Sequence, residues 1–280
     1  MKTLVLLLVF SFTAAFASES TQAWTTDQAM SKLQKGNERF VKGKPNVWDS
    51  GETKREHLAA GQTPFACIIT CSDSRVPPEQ IFDASLGELF VIRVAGNVTS
   101  KEVIASADYA VGHLHCPVVL VMGHTKCGAV GAALAETDYP EPLNTLVNEI
   151  RPSVDACQAK GYGADNLYAG AIKENARAGA STLLAGSMSI EQAVADGKCV
   201  VMSAVYDLET GEVSWQSQLG AVVLKQIEPT PAPVAEAPKP ASTESSHKGE
   251  SVAKTEKAAS TTPEHSQASR KTTGSSKQKH

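Results

Sequence analysis

From Glu228 to His280 the sequence has no aromatic residue, no cysteine and only two large aliphatic side chains, Val234 and Val252. Such a segment cannot bury enough apolar surface to offset the entropy of ordering it, which excludes a packed core. Six of the chain's 14 prolines fall in it, beginning with Pro229, Pro231 and Pro233. Residues 228–280 therefore read as a stiff Pro-rich spacer followed by a disordered tail. Eight Lys/Arg stand against six Asp/Glu there, and this mixed charge gives little support to the rival reading of a tether for an envelope partner.

Basic charge is scarce elsewhere. Outside the tail and Lys2, 17 basic residues face 24 acidic ones. That balance excludes the basic face that nucleic-acid binding requires and disfavours docking on an anionic membrane surface. Long apolar runs are lacking too, with one exception. Met1–Ala17 (MKTLVLLLVFSFTAAFA) has a basic start, an apolar stretch from Leu4 to Phe12 and small residues at Ala15 and Ala17. It falls short of the ~20 residues that span a bilayer and has the layout of a cleaved signal peptide. The expectation is an exported protein, periplasmic or secreted, with no membrane span in the mature chain. The remainder, 18–227, has the length of one large domain or two small ones.

Within it, short β-branched runs alternate with helical patterns. Phe65–Thr70, Leu89–Val94, Val118–Met122 and Cys199–Val205 look like strands buried on both faces. Val213–Gln218, after a Glu-Thr-Gly-Glu turn signal, reads as a last strand in a hairpin with Cys199–Val205. Helices are expected over Asp27–Val41, Pro78–Ala84, Ser100–Gly112, Gly128–Ala135, Pro142–Ala159, Ala164–Gly179 and Ser189–Ala195. The pattern predicts an α/β fold with a mostly parallel central sheet and flanking helices. Ligands in such folds bind beyond the carboxyl ends of the strands, which directs attention to the residues after Thr70, Val94 and Met122.

Cys71-Ser72-Asp73-Ser74-Arg75 follows the first strand, and Gly123-His124-Thr125-Lys126-Cys127-Gly128 follows the third. In extended backbone Cys71 and Asp73 point the same way. His124 and Cys127, three apart at a strand-to-helix junction, also converge. Two thiols, an imidazole and a carboxylate form the ligand set that zinc favours. Taken singly, each cysteine reads equally as a small buried hydrophobe, His124 as a satisfied core histidine, and Asp73–Arg75 as a surface ion pair.

The stretch CSDSRVPPEQIFDASLGELFVIRVAGNV, followed by SADYAVGHLHCPVVLVMGHTKCGAV, resembles the β-class carbonic anhydrases, over about Thr26 to Trp215. The resemblance makes 18–227 a catalytic domain. It implies that Cys71, His124 and Cys127 bind a catalytic Zn2+, and that Asp73 and Arg75 form the catalytic dyad beside it. Asp73 either ligates the metal or withdraws onto Arg75. The implied reaction is reversible hydration of CO2 to bicarbonate and a proton through zinc-bound hydroxide. Gln62, Phe90, Tyr109 and Gly128 match substrate-pocket positions. The family forms homodimers or higher homo-oligomers, with some pocket residues donated by the partner. Some members carry an inhibitory bicarbonate pocket built from Trp, Arg and Tyr. Arg93 matches the arginine, but Ile68 stands at the tryptophan position, so a constitutively open site is expected. Related enzymes on the same fold act on CS2 or COS, and a catalytically silent zinc scaffold working through its tail is a further alternative. His113-Leu114-His115 invites a second-metal reading, but residues two apart on a helix do not face one another. Cys67, Cys116, Cys157 and Cys199 are expected as buried free thiols.

Overall fold

The β-branched runs become five strands: β1 (Ala66–Thr70), β2 (Leu89–Arg93), β3 (Val118–His124), β4 (Val200–Tyr206) and β5 (Val213–Leu219). The computed structural model describes residues 24–219 apart from Glu136. The leader (1–17) and the tail (228–280) lie outside the described residues. One sheet has the order β2-β1-β3-β4-β5, with β1 parallel to β2 and β3, β3 parallel to β4, and β5 antiparallel to β4. The expected α/β fold with a mostly parallel central sheet is what the chain adopts. β1 and β3 are buried along their whole length, so their sequences carry no polar alternation.

The strands' two faces meet different helices. Cys67, Ile69, Val119 and Val121 pack with Val103, Ala107, Leu183 and Ile190, from α4 (Lys101–Gly112), α7 (Ala164–Gly186) and α8 (Met188–Ala195). On the other face Ile68, Leu120 and Met122 pack with Leu33 of α1 (Thr26–Val41), Ile81 of α3 (Pro78–Ile81) and Phe82. A third cluster closes the sheet's carboxyl end. There Cys71, Cys127, Val98 and Val205 meet Val130 of α5 (Gly128–Leu134), Ile150 of α6 (Leu143–Ala159), and Ala171 and Ile172 of α7. Among the described residues no helix is long and apolar enough to cross a membrane.

Two elements correct the sequence expectation. A helix at Glu52–Ala59, α2, buries none of its residues, and its sequence ETKREHLA has no apolar stripe to signal it. The helix expected to stop at Gly179 runs on to Gly186. Gly179 is a point of close approach instead: a Cβ there would lie 2.7 Å from Thr99 Oγ1.

Asp83 anchors the segment between α1 and α2. Its buried carboxylate pairs with Arg39 and accepts hydrogen bonds from the Asn46 N–H at 3.0 Å and Trp48 Nε1 at 2.8 Å. Burial alone would raise its pKa, but these partners outweigh burial and hold it below the ordinary carboxylate value. A depressed pKa contributes stability above the unfolded value, about 4, and loses it as pH falls through the folded one. Asp83→Ala is therefore expected to cost about 3 kcal/mol at pH 7. The gap between parent and variant in urea unfolding should shrink below pH ~4. A gap that is equal at both pH values would contradict this role.

Candidate metal centre

β1 and β3 are adjacent, with Thr70 opposite Met122. The chain leaving β1 therefore places Cys71 beside the last residue of β3, His124. Lys126 takes a left-handed conformation (φ 57°), which tightens the turn and returns Cys127 to the same point at the start of α5. The turn is tied to β4 by the Thr125 N–H, which donates to the Tyr206 carbonyl at 2.9 Å. One ligand atom from each of Cys71, His124 and Cys127 lies within 4.8 Å of the others, and all three residues are buried.

The protonation pattern suits a metal. His124 Nδ1 lies 2.9 Å from the Thr125 carbonyl, a partner to which it must donate. That assigns the lone pair to Nε2, which is buried and has no hydrogen-bond partner. Cys71 is held down to about 4 by the Cys127 thiol first, then, against burial, by His124 and the backbone N–H groups of Asp73 and Gly96. Cys127 is pushed up in turn, because it keeps the proton shared with Cys71 and is itself buried. The Gly96 N–H donates to Cys71 Sγ at 3.2 Å.

Asp73 stands beside this triad rather than in it. Arg75 grips it in a fork, Nε to Oδ1 at 2.9 Å and Nη2 to Oδ2 at 2.7 Å, and adds its backbone N–H to Oδ1. This pairing, above all the Arg75 side chain, holds the carboxyl well below the usual range. Asp73 Oδ2 is 3.9 Å from His124 Nε2. Arg93 fixes the loop from behind, donating to the carbonyls of Cys71 at 3.1 Å and Asp73 at 2.6 Å. Ile68 is wholly buried in the core.

Residues 66–213 match the sequence profile of the carbonic anhydrase family. The chain belongs to this family. It is 37% identical over 199 residues to carbonic anhydrase 2 of Mycobacterium tuberculosis, covering 69% of this chain and 94% of that one. It is 35% identical over 199 residues to the carbonic anhydrase of Mycolicibacterium smegmatis, covering 69% and 95%. Its fold is similar to the β-carbonic anhydrase of Coccomyxa in complex with acetazolamide, at TM-score 0.55, 32% identity, and 60% and 79% coverage. It is also similar to a tetrameric β-carbonic anhydrase of Sordaria macrospora, at TM-score 0.55, 25% identity, and 59% and 87% coverage. Together these matches place the chain in the β class and make it a carbonic anhydrase enzyme.

Of the residues singled out in the sequence, this β-carbonic anhydrase chain brings together Cys71, His124, Cys127, Asp73 and Arg75. Gly128 adjoins them as the first residue of α5, and among the described residues nothing beyond its chain neighbours and its own helix backbone lies within 4 Å of where a Cβ would stand. Gln62, Phe90 and Tyr109 are not brought in. Gln62 precedes β1 while Cys71 follows it, and the strand's five residues alone separate them by about 17 Å. Phe90 pairs in register with Cys67, and Tyr109 packs on it with ring centroids 6.2 Å apart. Two participants had no warning in the sequence: the Gly96 N–H on Cys71, and Tyr168, whose hydroxyl donates to the Cys127 carbonyl at 2.7 Å. Both act on or through backbone atoms, which leave no residue-type signature. The glycine of Gly96-Asn97 was the one available hint.

Proposed function

We propose that Cys71, His124 and Cys127 hold Zn2+ and that the protein hydrates CO2 reversibly to bicarbonate and a proton. The observation that carries this reading is the unpartnered, buried Nε2 of His124, on an imidazole that converges with two cysteine sulfurs to within 4.8 Å. Two sulfurs and one imidazole make a three-ligand catalytic zinc set with a position left over. When bound, the metal supplies a Lewis acid that brings the ionisation of water towards pH ~7.

The chain's own residues do the rest. Arg75 keeps Asp73 ionised and turned from the triad, so the site is of the open type. Asp73 Oδ2, on the triad side of that pair, accepts a hydrogen bond from the attacking water and orients its lone pair towards CO2. CO2 is uncharged, so the acidic chain needs no electrostatic steering of its substrate. Arg93 and Tyr168 hold the carbonyls of Cys71, Asp73 and Cys127, which limits drift of the donor atoms. The decisive test is stopped-flow CO2 hydration on the purified protein with zinc quantified. Zinc-dependent turnover, inhibited by acetazolamide as the Coccomyxa structure suggests, is expected. Zinc-loaded protein without turnover would refute the reading.

Gln62, Phe90 and Tyr109 reach such a site only from a second copy of the chain, and Tyr109 is 47% exposed on one copy alone. The proposed working unit is accordingly a homodimer or a higher homo-oligomer, in keeping with the tetrameric relative. Gln62→Ala is expected to raise KM for CO2 hydration about tenfold with zinc content unchanged, as loss of one hydrogen bond at the substrate would. An unchanged KM would remove Gln62 from the pocket.

A further inference from the structure

Asparagine is a poor residue for a helix interior, because its side chain competes for backbone hydrogen bonds. Asn175 nonetheless sits in the middle of α7 and is 6% exposed. Its Nδ2 donates to the Gly96 carbonyl at 2.7 Å. So short a side chain reaches that far because α7 lies close to the turn at Ala95–Asn97. The buried faces of α7 are small there, Ala171, Ala176 and Ala180, and Gly179 leaves room for Thr99. Gly96 itself is left-handed (φ 66°, ψ 18°), and a Cβ on it would stand 2.6 Å from Ile150 Cδ1. The turn therefore has no side chain at its apex to secure it. It is held by the Asn97 N–H on the Val94 carbonyl at 2.9 Å and by Asn175. The product of this geometry is one N–H aimed at the Cys71 sulfur, 3.2 Å away.

We propose that Asn175 is a positioning residue of the metal centre, holding through the Gly96 carbonyl the turn whose N–H donates to the Cys71 sulfur. The inference rests on the metal-site reading above. An N–H on a ligating thiolate withdraws charge from the sulfur and fixes its direction, so its loss alters both affinity and electronic structure at the metal.

Asn175→Leu keeps the size and removes the donor. It is expected to weaken zinc binding 10- to 100-fold in chelator competition. It should also shift the thiolate-to-cobalt absorption of the cobalt(II)-substituted protein. Leu183→Val, on the same helix but packed in the cluster away from Cys71 and Cys127, should lower the melting temperature and leave both readouts parental. If Asn175→Leu behaves like Leu183→Val, the proposal is overturned. Should the variant not fold, the parent protein decides. Loaded with NMR-active cadmium, its Gly96 amide proton should show scalar coupling to the metal through the Cys71 sulfur, and absence of coupling overturns the proposal. Failure of the parent to bind any metal would instead bring down the metal-site reading itself.

Discussion

His124→Ala is expected to empty the metal centre and reduce CO2 hydration to the rate in buffer. His124 is the imidazole member of the triad, and its Nε2 is left without a partner, with Nδ1 spent on the Thr125 carbonyl. What is left after its removal is a pair of thiols, too few donors for a catalytic zinc set. With the metal would go its acidifying effect on water. Metal analysis and stopped-flow assay on the same preparation check this. Cys157→Ala serves as the control: it too removes a buried thiol, but one outside the triad, so metal content and rate should both survive. A His124→Ala protein that retained stoichiometric zinc and turnover would refute the assignment.

The second large effect separates the dyad from the ligands. Asp73→Ala should leave zinc bound, because Asp73 is outside the converging triad, while kcat/KM falls about 100-fold or more for want of the orienting acceptor. Arg75→Ala should reach a similar loss by another route. Asp73 then keeps none of the forked contacts at 2.9 Å and 2.7 Å that turn it away, and its Oδ2 is already 3.9 Å from His124 Nε2. The freed carboxylate would then be able to join Cys71, His124 and Cys127 as a fourth donor and close the set. In a cobalt-substituted protein the two variants should differ: Arg75→Ala gains a carboxylate ligand, and Asp73→Ala does not. Full activity in either variant would end the proposed role.

The strands were legible because a parallel sheet covered on both faces writes itself as unbroken β-branched runs, as in Val118–Met122. The converging triad was legible because two of its members sit at the carboxyl ends of adjacent strands, where the architecture puts chemistry. Legibility stopped where the relevant atom was not a side chain. Gly96 contributes a backbone N–H, Tyr168 acts on a carbonyl, and Asn175 acts on a carbonyl one step further back. It also stopped at α2, whose residues bury nothing and so follow no period. Gly179 misled for a related reason: glycine usually marks a helix end, but here the missing side chain makes room for Thr99. Gln62, Phe90 and Tyr109 were named by resemblance alone, and a single chain leaves them apart from the triad.

The donors at Cys71 and at His124–Cys127 are close in space but separated in sequence by α3, β2, the Ala95–Asn97 turn, α4 and most of β3. A metal bridging them would act as a cross-link, closing a long loop in much the way a disulfide does and reducing the freedom of the unfolded chain. Because it would bind the folded chain in preference to the unfolded one, loading would raise the melting temperature with metal activity in solution. Heat resistance in this protein would then serve as a gauge of zinc supply.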